Sequence, residues 1–189
     1  AIVTYPDFEA EIQPALSADD SVRHVILSNQ VQAPATPDFD NLPGMQRKPQ
    51  DIVLLQHSSG TTGLQKGVAL SHQAVFNQLD NLRAAIRQNE QDIIVSWLPL
   101  YHDMGLIAGF IMPILQGIPL VLMSPFHWVR DPKILLWAIH QHRATLCWLP
   151  NFAYNFLATR IRPAAITGLD LSSLRAIINC SEPVYADSH

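Results

Sequence analysis

The chain has 189 residues, of which 48% are hydrophobic and 15% are charged. This composition excludes a disordered region, and the length is enough to bury a sizeable core in one domain with part of a second. Twelve lysines and arginines against sixteen acidic residues leave a formal charge of −4, so there is no basic excess for binding nucleic acid. Two cysteines are too few for a disulfide scaffold, which favours a reducing, cytoplasmic setting.

The first 50 residues carry short and irregular signals. Their apolar patterning predicts a short helix over residues 8–16 and a strand over residues 22–27. Residues 29–50 contain four prolines, which favour an irregular surface connection. The chain begins without methionine and ends just after an apolar run, so we interpret it as an internal fragment of a larger protein.

A more regular pattern begins at residue 52. Residues 52–55 are a continuous apolar run, which predicts a central strand buried on both faces, and residues 67–70 predict a second strand. Ser71 is a favourable N-cap for a helix over residues 72–87. The apolar residues of that helix recur at the spacing of one face, at Val75, Leu79, Leu82 and Ile86.

Strands and helices alternate through the rest of the chain. The predicted strands are residues 93–97, 119–123, 145–149 and 174–179. The predicted helices are residues 104–115, residues 151–161, and a helix that runs from Asp131-Pro132 to residue 142 with Asp131 as its N-cap. This alternation, with strands that are apolar throughout, predicts a layered α/β fold whose largely parallel sheet is flanked by helices.

The apolar stretch over residues 104–123 is not predicted to span a membrane. Pro113, Gly117 and Pro119 divide it into two segments. Each segment is shorter than the roughly 20 continuous apolar residues that a bilayer requires. A buried helix followed by a buried strand is the better interpretation.

Small and hydroxyl-bearing residues cluster between the first two regular strands. The cluster comprises Ser58, Ser59, Gly60, Thr61, Thr62, Gly63, Lys66 and Gly67. The glycines let backbone amides approach an anion closely, the hydroxyls add donors, and Lys66 adds a positive charge. A flexible surface turn is the alternative, but the position between apolar strands and before a long capped helix favours a polyphosphate grip. The Walker pattern does not fit, because Gln65 precedes Lys66 and Gly67 follows it.

Three later segments carry polar or aromatic residues at the ends of predicted strands. Within residues 97–106, His102 stands beside Asp103 directly after a strand, a pair that on its own is more often structural than catalytic. Residues 150–154 read PNFAY, which by itself predicts an Asn-capped helix with core aromatics. Residues 179–184 begin where the last predicted strand ends. The spacing of His, Cys, Asp and Glu predicts no metal site.

Together these segments resemble the adenylate-forming superfamily of acyl-CoA synthetases, fatty acyl-AMP ligases, luciferases and peptide-synthetase adenylation domains. Residues 58–67 are similar to its phosphate-binding signature, (S/T)SG(T/S)TGxPKG, and depart from it mainly at Gln65. The run LPLYHDMGLI at residues 98–107 is similar to the fatty acyl-AMP ligase branch in particular, as is PNFAY. The segment NCSEPV is similar to an NGAEPV element, with Cys180 and Ser181 in place of Gly-Ala.

The resemblance implies an incomplete part of the large N-terminal AMP-binding domain, without the small C-terminal lid domain. The implied reaction joins a fatty acid to ATP as acyl-adenylate with release of pyrophosphate. The 58–67 loop would hold the β- and γ-phosphates, and His102 would lie beside the carboxylate and the α-phosphate. Adenine would lie against Ser181, Glu182 and Pro183, and the acid would contact Tyr101, Asn151, Phe152 and Tyr154. The main ligand of Mg²⁺ would follow residue 189, and an acyl carrier protein or CoA would accept the acyl group.

Two alternatives stay open. A long-chain fatty acid-CoA ligase shares the first half-reaction but passes the acyl group to CoA. A non-catalytic scaffold of the same fold would bind nucleotide without turning it over. We expect residues 1–189 alone to be inactive, because the superfamily's magnesium ligand, ribose contact and closing domain would all lie beyond them.

Overall fold

The computed structural model describes residues 2–16, 24–32, 38–57, 67–179 and 181–188. The chain divides into two compact units, Ala1–Arg47 and Lys48–His189. Of the predicted phosphate loop, only Gly67 falls within the described residues.

The first unit is built on two short parallel strands. These are β1 (Ile2–Thr4) and β2 (Val25–Leu27), with helix α1 (Glu9–Leu16) between them along the chain. Short 3-10 turns cover Pro6–Phe8, Ser28–Gln30 and Pro43–Gln46. The predicted helix is confirmed, and the predicted strand is confirmed over its described part. Leu27 is buried, whereas most of the other described large apolar side chains of this unit are exposed.

The second unit contains a four-stranded parallel sheet. Its strands are β5 (Ile94–Ser96), β6 (Leu120–Leu122), β7 (Leu146–Leu149) and β8 (Ala176–Asn179), in the spatial order β6-β5-β7-β8. Its helices are α2 (His72–Ala85), a π-helix (Met104–Ile111), α3 (Met112–Gln116), α4 (Pro125–Arg130), α5 (Lys133–His142) and α6 (Asn151–Arg160). Parallel strands need crossover connections, which the helices supply. The predicted layered α/β fold is therefore confirmed.

The core of this unit forms around the two central strands. β5 and β7 are buried along their whole length. Helix α2 contributes Val75 and Leu79, in agreement with its predicted apolar face, and α5 contributes Ile139. Ser71 Oγ accepts a hydrogen bond from the backbone N–H of Ala74 at 3.2 Å, so the predicted N-cap of α2 is also confirmed.

The apolar run at residues 52–55 forms a different structure from the one predicted. β3 (Ile52–His57) pairs antiparallel with β4 (Gly67–Ser71) in a separate two-stranded ribbon. Ile52 is 60% exposed and Leu55 is 75% exposed, so the prediction of a central strand buried on both faces is wrong. A continuous apolar run specifies a strand but not its neighbours, and among the described residues β3 pairs with β4 alone.

The helix predicted at residues 104–115 is present, but its first part is wider than an α-helix. The π-helix leads into α3, which ends at Gly117 in the left-handed conformation. The π-helix packs closely on the chain around β5. A Cβ on Gly105 would collide with the Pro99 carbonyl oxygen, and one on Gly109 would lie 2.8 Å from Ser96 Oγ. No described helix is long and apolar enough to cross a membrane.

Two features near residue 130 differ from prediction. Helix α4 has no counterpart among the predicted elements, because its six residues are too few for a helical period to emerge. It buries Trp128 completely. Helix α5 begins one residue later than predicted, with Pro132 rather than Asp131 as its N-cap. Asp131 instead pairs with Lys133, with Oδ2 3.0 Å from Nζ.

Candidate functional site

Three parallel strands end at one edge of the sheet, and the predicted site residues follow them. Residues 97–103 follow β5, Pro150 and α6 follow β7, and residues 181–185 come shortly after β8. Open parallel sheets bind their ligands outside the carboxyl ends of the strands. A cavity of about 340 Å³ lies at this edge, and we call it the edge cavity.

The edge cavity brings together residues that are distant in the sequence. Its lining comprises Trp97, Leu98, Pro99, Tyr101, His102, Met104, Pro150, Phe152, Ser181 and Glu182. Five of these ten residues belong to the predicted site, and they come from three separate segments. Tyr101 is 89% exposed, so its ring lies at the mouth of the cavity. Among the other predicted residues in the described ranges, Asn151, Tyr154, Pro183 and Gly67 are not part of this lining.

The structure bounds the predicted phosphate loop without describing it. Residues 58–66, which include Ser58, Ser59, Gly60, Thr61, Thr62, Gly63 and Lys66, lie outside the described residues. β3 ends at His57 and β4 begins at Gly67, and these two residues are paired across the ribbon. The loop therefore begins and ends at paired positions of two adjacent strands.

His102 is oriented by the carboxylate that follows it. Its Nδ1 lies 2.7 Å from Asp103 Oδ1, and both side chains are partly exposed. The backbone N–H of Met104 also approaches Nδ1, at 3.4 Å, so Nδ1 is occupied from two sides and Nε2 is left for another partner. The backbone N–H of Met104 donates to the same Asp103 oxygen at 2.7 Å, so the carboxylate also caps the π-helix. One carboxylate thus fixes the imidazole and the start of the helix.

Asn151 is a buried connector between α6 and the chain after β8. It is 4% exposed, and Pro150 occupies the N-cap of α6, so the predicted Asn cap is wrong. Its Oδ1 accepts hydrogen bonds from Asn179 Nδ2 at 3.0 Å and from the backbone N–H of Tyr185 at 3.4 Å. The Asn151 side chain therefore ties the chain on both sides of residues 181–183 to α6.

Glu182 makes a second tie between the same two segments. Its Oε1 accepts a hydrogen bond from the backbone N–H of Phe152 at 2.6 Å. That N–H belongs to the first turn of α6, where backbone donors lack helical partners and negative charge is favoured. Ser181 has a φ of +77°, a left-handed conformation that a side-chain-bearing residue keeps only when its surroundings hold it. Asn151 and Glu182 provide such surroundings.

Three aromatic rings support one side of the edge cavity. The rings of Trp97 and Trp128 stack, with centroids 3.7 Å apart and planes inclined by 3°. Phe152 meets both indoles edge-on, at centroid distances of 6.3 and 6.4 Å, an arrangement that the ring quadrupoles favour. Trp97 and Phe152 line the cavity, whereas Trp128 is completely buried. No local spacing links Trp97 to Trp128, which is why sequence reasoning missed the latter.

A larger cavity of about 630 Å³ adjoins the edge cavity, and we call it the apolar cavity. Its lining is mostly apolar and comes from β4, α2, the π-helix, β7 and β8, with Leu70, Val75, Leu82, Ile107, Trp148 and Ile178 among its residues. Met104 and Ser181 line both cavities. The two cavities are both lined mainly by apolar side chains, and the edge cavity adds His102 and Glu182.

Two titratable side chains in or against the core, Cys147 and Tyr154, have raised pKa values. Burial raises the pKa of Cys147 to about 12, so the thiol stays protonated at neutral pH and cannot act as a nucleophile. Burial also raises the pKa of Tyr154, and the neighbouring Cys147 adds to the effect. Tyr154 packs against the core. Among the described residues no group of three His, Cys, Asp or Glu side chains could hold a metal ion.

Comparison with known proteins identifies the class of this fold and site. The whole chain, residues 1–189, matches the family described as AMP-binding enzyme. The chain therefore belongs to the AMP-binding enzyme family.

Individual relatives are larger proteins. A medium-chain fatty acid–acyl-carrier-protein ligase of Teredinibacter turnerae, TtuA, is 37% identical over 137 residues, which are 72% of this chain and 21% of TtuA. A fatty acyl-adenylate ligase from L. pneumophila, solved with acyl adenylate and pyrophosphate, is 41% identical with a TM-score of 0.71, over 75% of this chain and 25% of the other. A structure from work on fatty acyl-adenylate ligases of E. coli and L. pneumophila is 27% identical with a TM-score of 0.84, over 99% of this chain and 34% of the other. The chain thus spans between a fifth and about a third of each of these proteins.

Proposed function

We propose that this chain is part of the AMP-binding domain of an enzyme that activates a fatty acid with ATP to acyl-adenylate and pyrophosphate. The observation that carries the proposal is the meeting of His102, Phe152, Ser181 and Glu182 around one cavity that adjoins a larger apolar one. The similarity to fatty acyl-adenylate ligases supports the same activity. Since the chain spans only a minor share of those relatives, the proposal assigns the lid domain to a part of the enzyme outside residues 1–189.

In the proposed reaction a carboxylate oxygen of the fatty acid attacks the α-phosphorus of ATP. The new bond joins that oxygen to phosphorus, and the bond to the bridging oxygen of pyrophosphate breaks with its electron pair. No proton transfer is required, so the contribution of the protein is positioning and neutralisation of charge. Mg²⁺ would supply neutralisation at the phosphates when bound, and we propose its main ligand outside residues 1–189.

His102 is the residue that we assign to the reacting groups. With Nδ1 occupied by Asp103, only Nε2 can reach a ligand in the edge cavity. The role proposed for His102 is therefore to orient the carboxylate and α-phosphate.

The apolar cavity is the proposed site of the acyl chain. Most of its lining is apolar, and each methylene transferred there from water gains about 0.8 kcal/mol. Phe152 and Tyr101 lie at the edge cavity, so we assign them contacts near the carboxylate. We assign Asn151 and Tyr154 to holding α6 in place. Asn151 is buried and its side chain is used in hydrogen bonds to the chain around β8, and Tyr154 packs against the core.

The nucleotide is assigned to the edge cavity and to the loop before β4. Ser181, Glu182 and Pro183 are proposed to lie against the adenine. Residues 58–67 are proposed to hold the β- and γ-phosphates, through the glycine amides, the hydroxyls and Lys66. The acyl acceptor is proposed to be a carrier protein, as in the name of TtuA, with CoA as the alternative, and the cytoplasm remains the predicted location.

The test is ATP–pyrophosphate exchange by the full-length enzyme with acetate, octanoate or dodecanoate. We expect the exchange rate to rise with chain length, and Lys66→Ala and Gly63→Val each to lower it at least about tenfold, or about 1.4 kcal/mol.

Lys133→Ala and Gly44→Val are matched controls, since Lys133 pairs on the surface and a side chain at Gly44 meets open space. A wild-type exchange rate in both Lys66→Ala and Gly63→Val would contradict the assignment of residues 58–67 to the phosphates. A preference for acetate would contradict the fatty acid, and the absence of exchange would favour a non-catalytic scaffold.

A second measurement separates the two proposed acceptors. The enzyme is incubated with ATP and dodecanoate, and then with CoA or with an acyl carrier protein that bears its phosphopantetheine arm. Formation of dodecanoyl-acyl carrier protein is the expected result. Rapid formation of dodecanoyl-CoA would favour the fatty acid-CoA ligase instead.

A further inference from the structure

The edge cavity and the apolar cavity have two lining residues in common, Met104 and Ser181. Met104 is the first residue of the π-helix, and Ser181 follows β8. Their side chains meet, with Ser181 Oγ 3.5 Å from Met104 Sδ. This pair therefore forms the boundary at which one cavity adjoins the other.

The backbone on both sides of this boundary is fixed. The N–H of Met104 is bound by Asp103, and the next residue, Gly105, packs too closely on Pro99 for any side chain. On the other side, Glu182 ties the segment that contains Ser181 to α6. Movement at the boundary is thus left to side chains. Methionine is suited to such movement because it has three rotatable bonds and no branch.

The contact between these two side chains is weak. A thioether is a poor hydrogen-bond acceptor, so the hydroxyl of Ser181 holds Met104 only loosely. The rest of the Met104 side chain is apolar and buried at 9% exposure. A ligand that occupies both cavities would displace this contact without breaking a strong interaction.

From this geometry we propose that Met104 and Ser181 set the width of the passage between the two cavities and so select acids that are unbranched next to the carboxylate. The inference rests on the proposed function, in which the carboxylate lies in the edge cavity and the chain in the apolar cavity. The carbons that follow the carboxyl carbon then lie between Met104 and Ser181. A straight chain passes there, and a substituent on the second carbon meets the methionine side chain.

The experiment compares dodecanoate with 2-ethyldodecanoate in the full-length enzyme, by acyl-adenylate formation. The readout is the ratio of kcat/KM for the branched acid to kcat/KM for the straight one. In Met104→Ala this ratio should rise at least about tenfold, because the shorter side chain leaves room for the branch. Met104→Leu is the comparison variant, because leucine has a similar volume although it is branched at Cγ, and its ratio should stay well below that of Met104→Ala.

Ser181→Gly widens the passage from the opposite side. It provides a second test of the proposal that does not depend on the folding of Met104→Ala. Glycine accepts the φ of +77° at this position more readily than serine does, so this variant should fold at least as well as the wild type. Its ratio should rise in the same direction. If both variants fold and activate dodecanoate but keep the wild-type ratio of kcat/KM values, the role proposed for Met104 and Ser181 is wrong. The proposed function is not affected by that result. Failure of the wild-type enzyme to activate dodecanoate would overturn the proposed function and the passage together.

Discussion

The two ends of the same three strands carry polar residues that differ in what they leave for a ligand. At the amino ends of β5, β7 and β8, the side chains of Asp92, Thr145 and Arg175 bind one another. At the carboxyl ends, His102 and Glu182 face the edge cavity. Both ends contain a carboxylate and a potential cation, so residue types alone do not distinguish them.

At the amino ends of the strands, the hydrogen-bonding capacity of the Asp92 carboxylate is fully used, and we call this the saturated end. Asp92 is 2% exposed, and it accepts hydrogen bonds from Arg175 Nη2 at 2.7 Å, Thr145 Oγ1 at 2.7 Å and the backbone N–H of Asn89 at 2.9 Å. Arg175 Nη1 also donates to the carbonyl oxygen of Ile86 at 3.0 Å. A buried charge is tolerated when it is paired and its lone pairs are used in this way. The Asp92 carboxylate therefore has no capacity left for a ligand.

The carboxyl ends are only partly saturated, which is what a binding site requires. The ties made by Asn151, Asp103 and Glu182 fix the backbone and the His102 ring. They leave His102 Nε2 and the exposed ring of Tyr101 facing the cavity and its mouth. The completeness of hydrogen bonding, rather than the presence of charge, thus separates the structural end of the sheet from the end that can bind a ligand.

Breaking the saturated end should have the largest effect, and the effect should be on stability. Arg175→Ala leaves the buried Asp92 carboxylate without its cation, and we expect a loss of about 3 kcal/mol in the free energy of unfolding, measured with urea. Arg143→Ala is the matched control, because Arg143 pairs with Asp170 on the surface, and it should cost much less. Equal losses in the two variants would contradict the distinction between a buried and an exposed pair.

Loosening the cavity end should affect nucleotide binding more than stability. In Glu182→Ala the tie to the Phe152 N–H is lost, and we expect the KM for ATP to rise about fivefold, or about 1 kcal/mol, with little change in Tm. Glu182→Gln keeps an acceptor oxygen of the same reach and should recover most of the affinity. If both variants raised KM equally, the charge of Glu182 would matter rather than the tie.

The smallest effect concerns acid stability at the saturated end. Burial raises the pKa of Asp92, but the hydrogen bonds from Arg175, Asn89 and Thr145 and the charge of Arg175 outweigh it and hold the pKa below its usual value of 3.8. The carboxylate thus stabilises the fold above about pH 4, and this contribution is lost as the pH falls through the lowered pKa.

The pH dependence can be measured by urea unfolding between pH 3 and pH 6. Asp92→Asn should lose less stability on acidification than the wild type, because the group that titrates has been removed. Asp80→Asn, on the exposed part of α2, is the control and should keep the wild-type dependence. A wild-type dependence in Asp92→Asn as well would mean that other carboxylates carry the acid sensitivity.

The features that depend on neighbours along the chain can be predicted from the amino-acid sequence. The N-cap at Ser71 and the apolar face of α2 follow from residues three or four apart, and both are present. The alternation of strands and helices was enough for the fold class. The motifs around residues 58–67 and 98–107 were enough for the family, because they are long and specific.

The contacts between residues that are distant in the sequence depend on the packing of the whole fold. The apolar run at residues 52–55 lies exposed in a ribbon, Asn151 is a buried connector, and Trp128 supports the edge cavity from a helix that the sequence did not predict. The contact between Met104 and Ser181 likewise joins distant segments. Local patterns fix backbone geometry and the side that is apolar, but burial and hydrogen-bond partners depend on which strands become neighbours. That choice is made by packing of the whole chain.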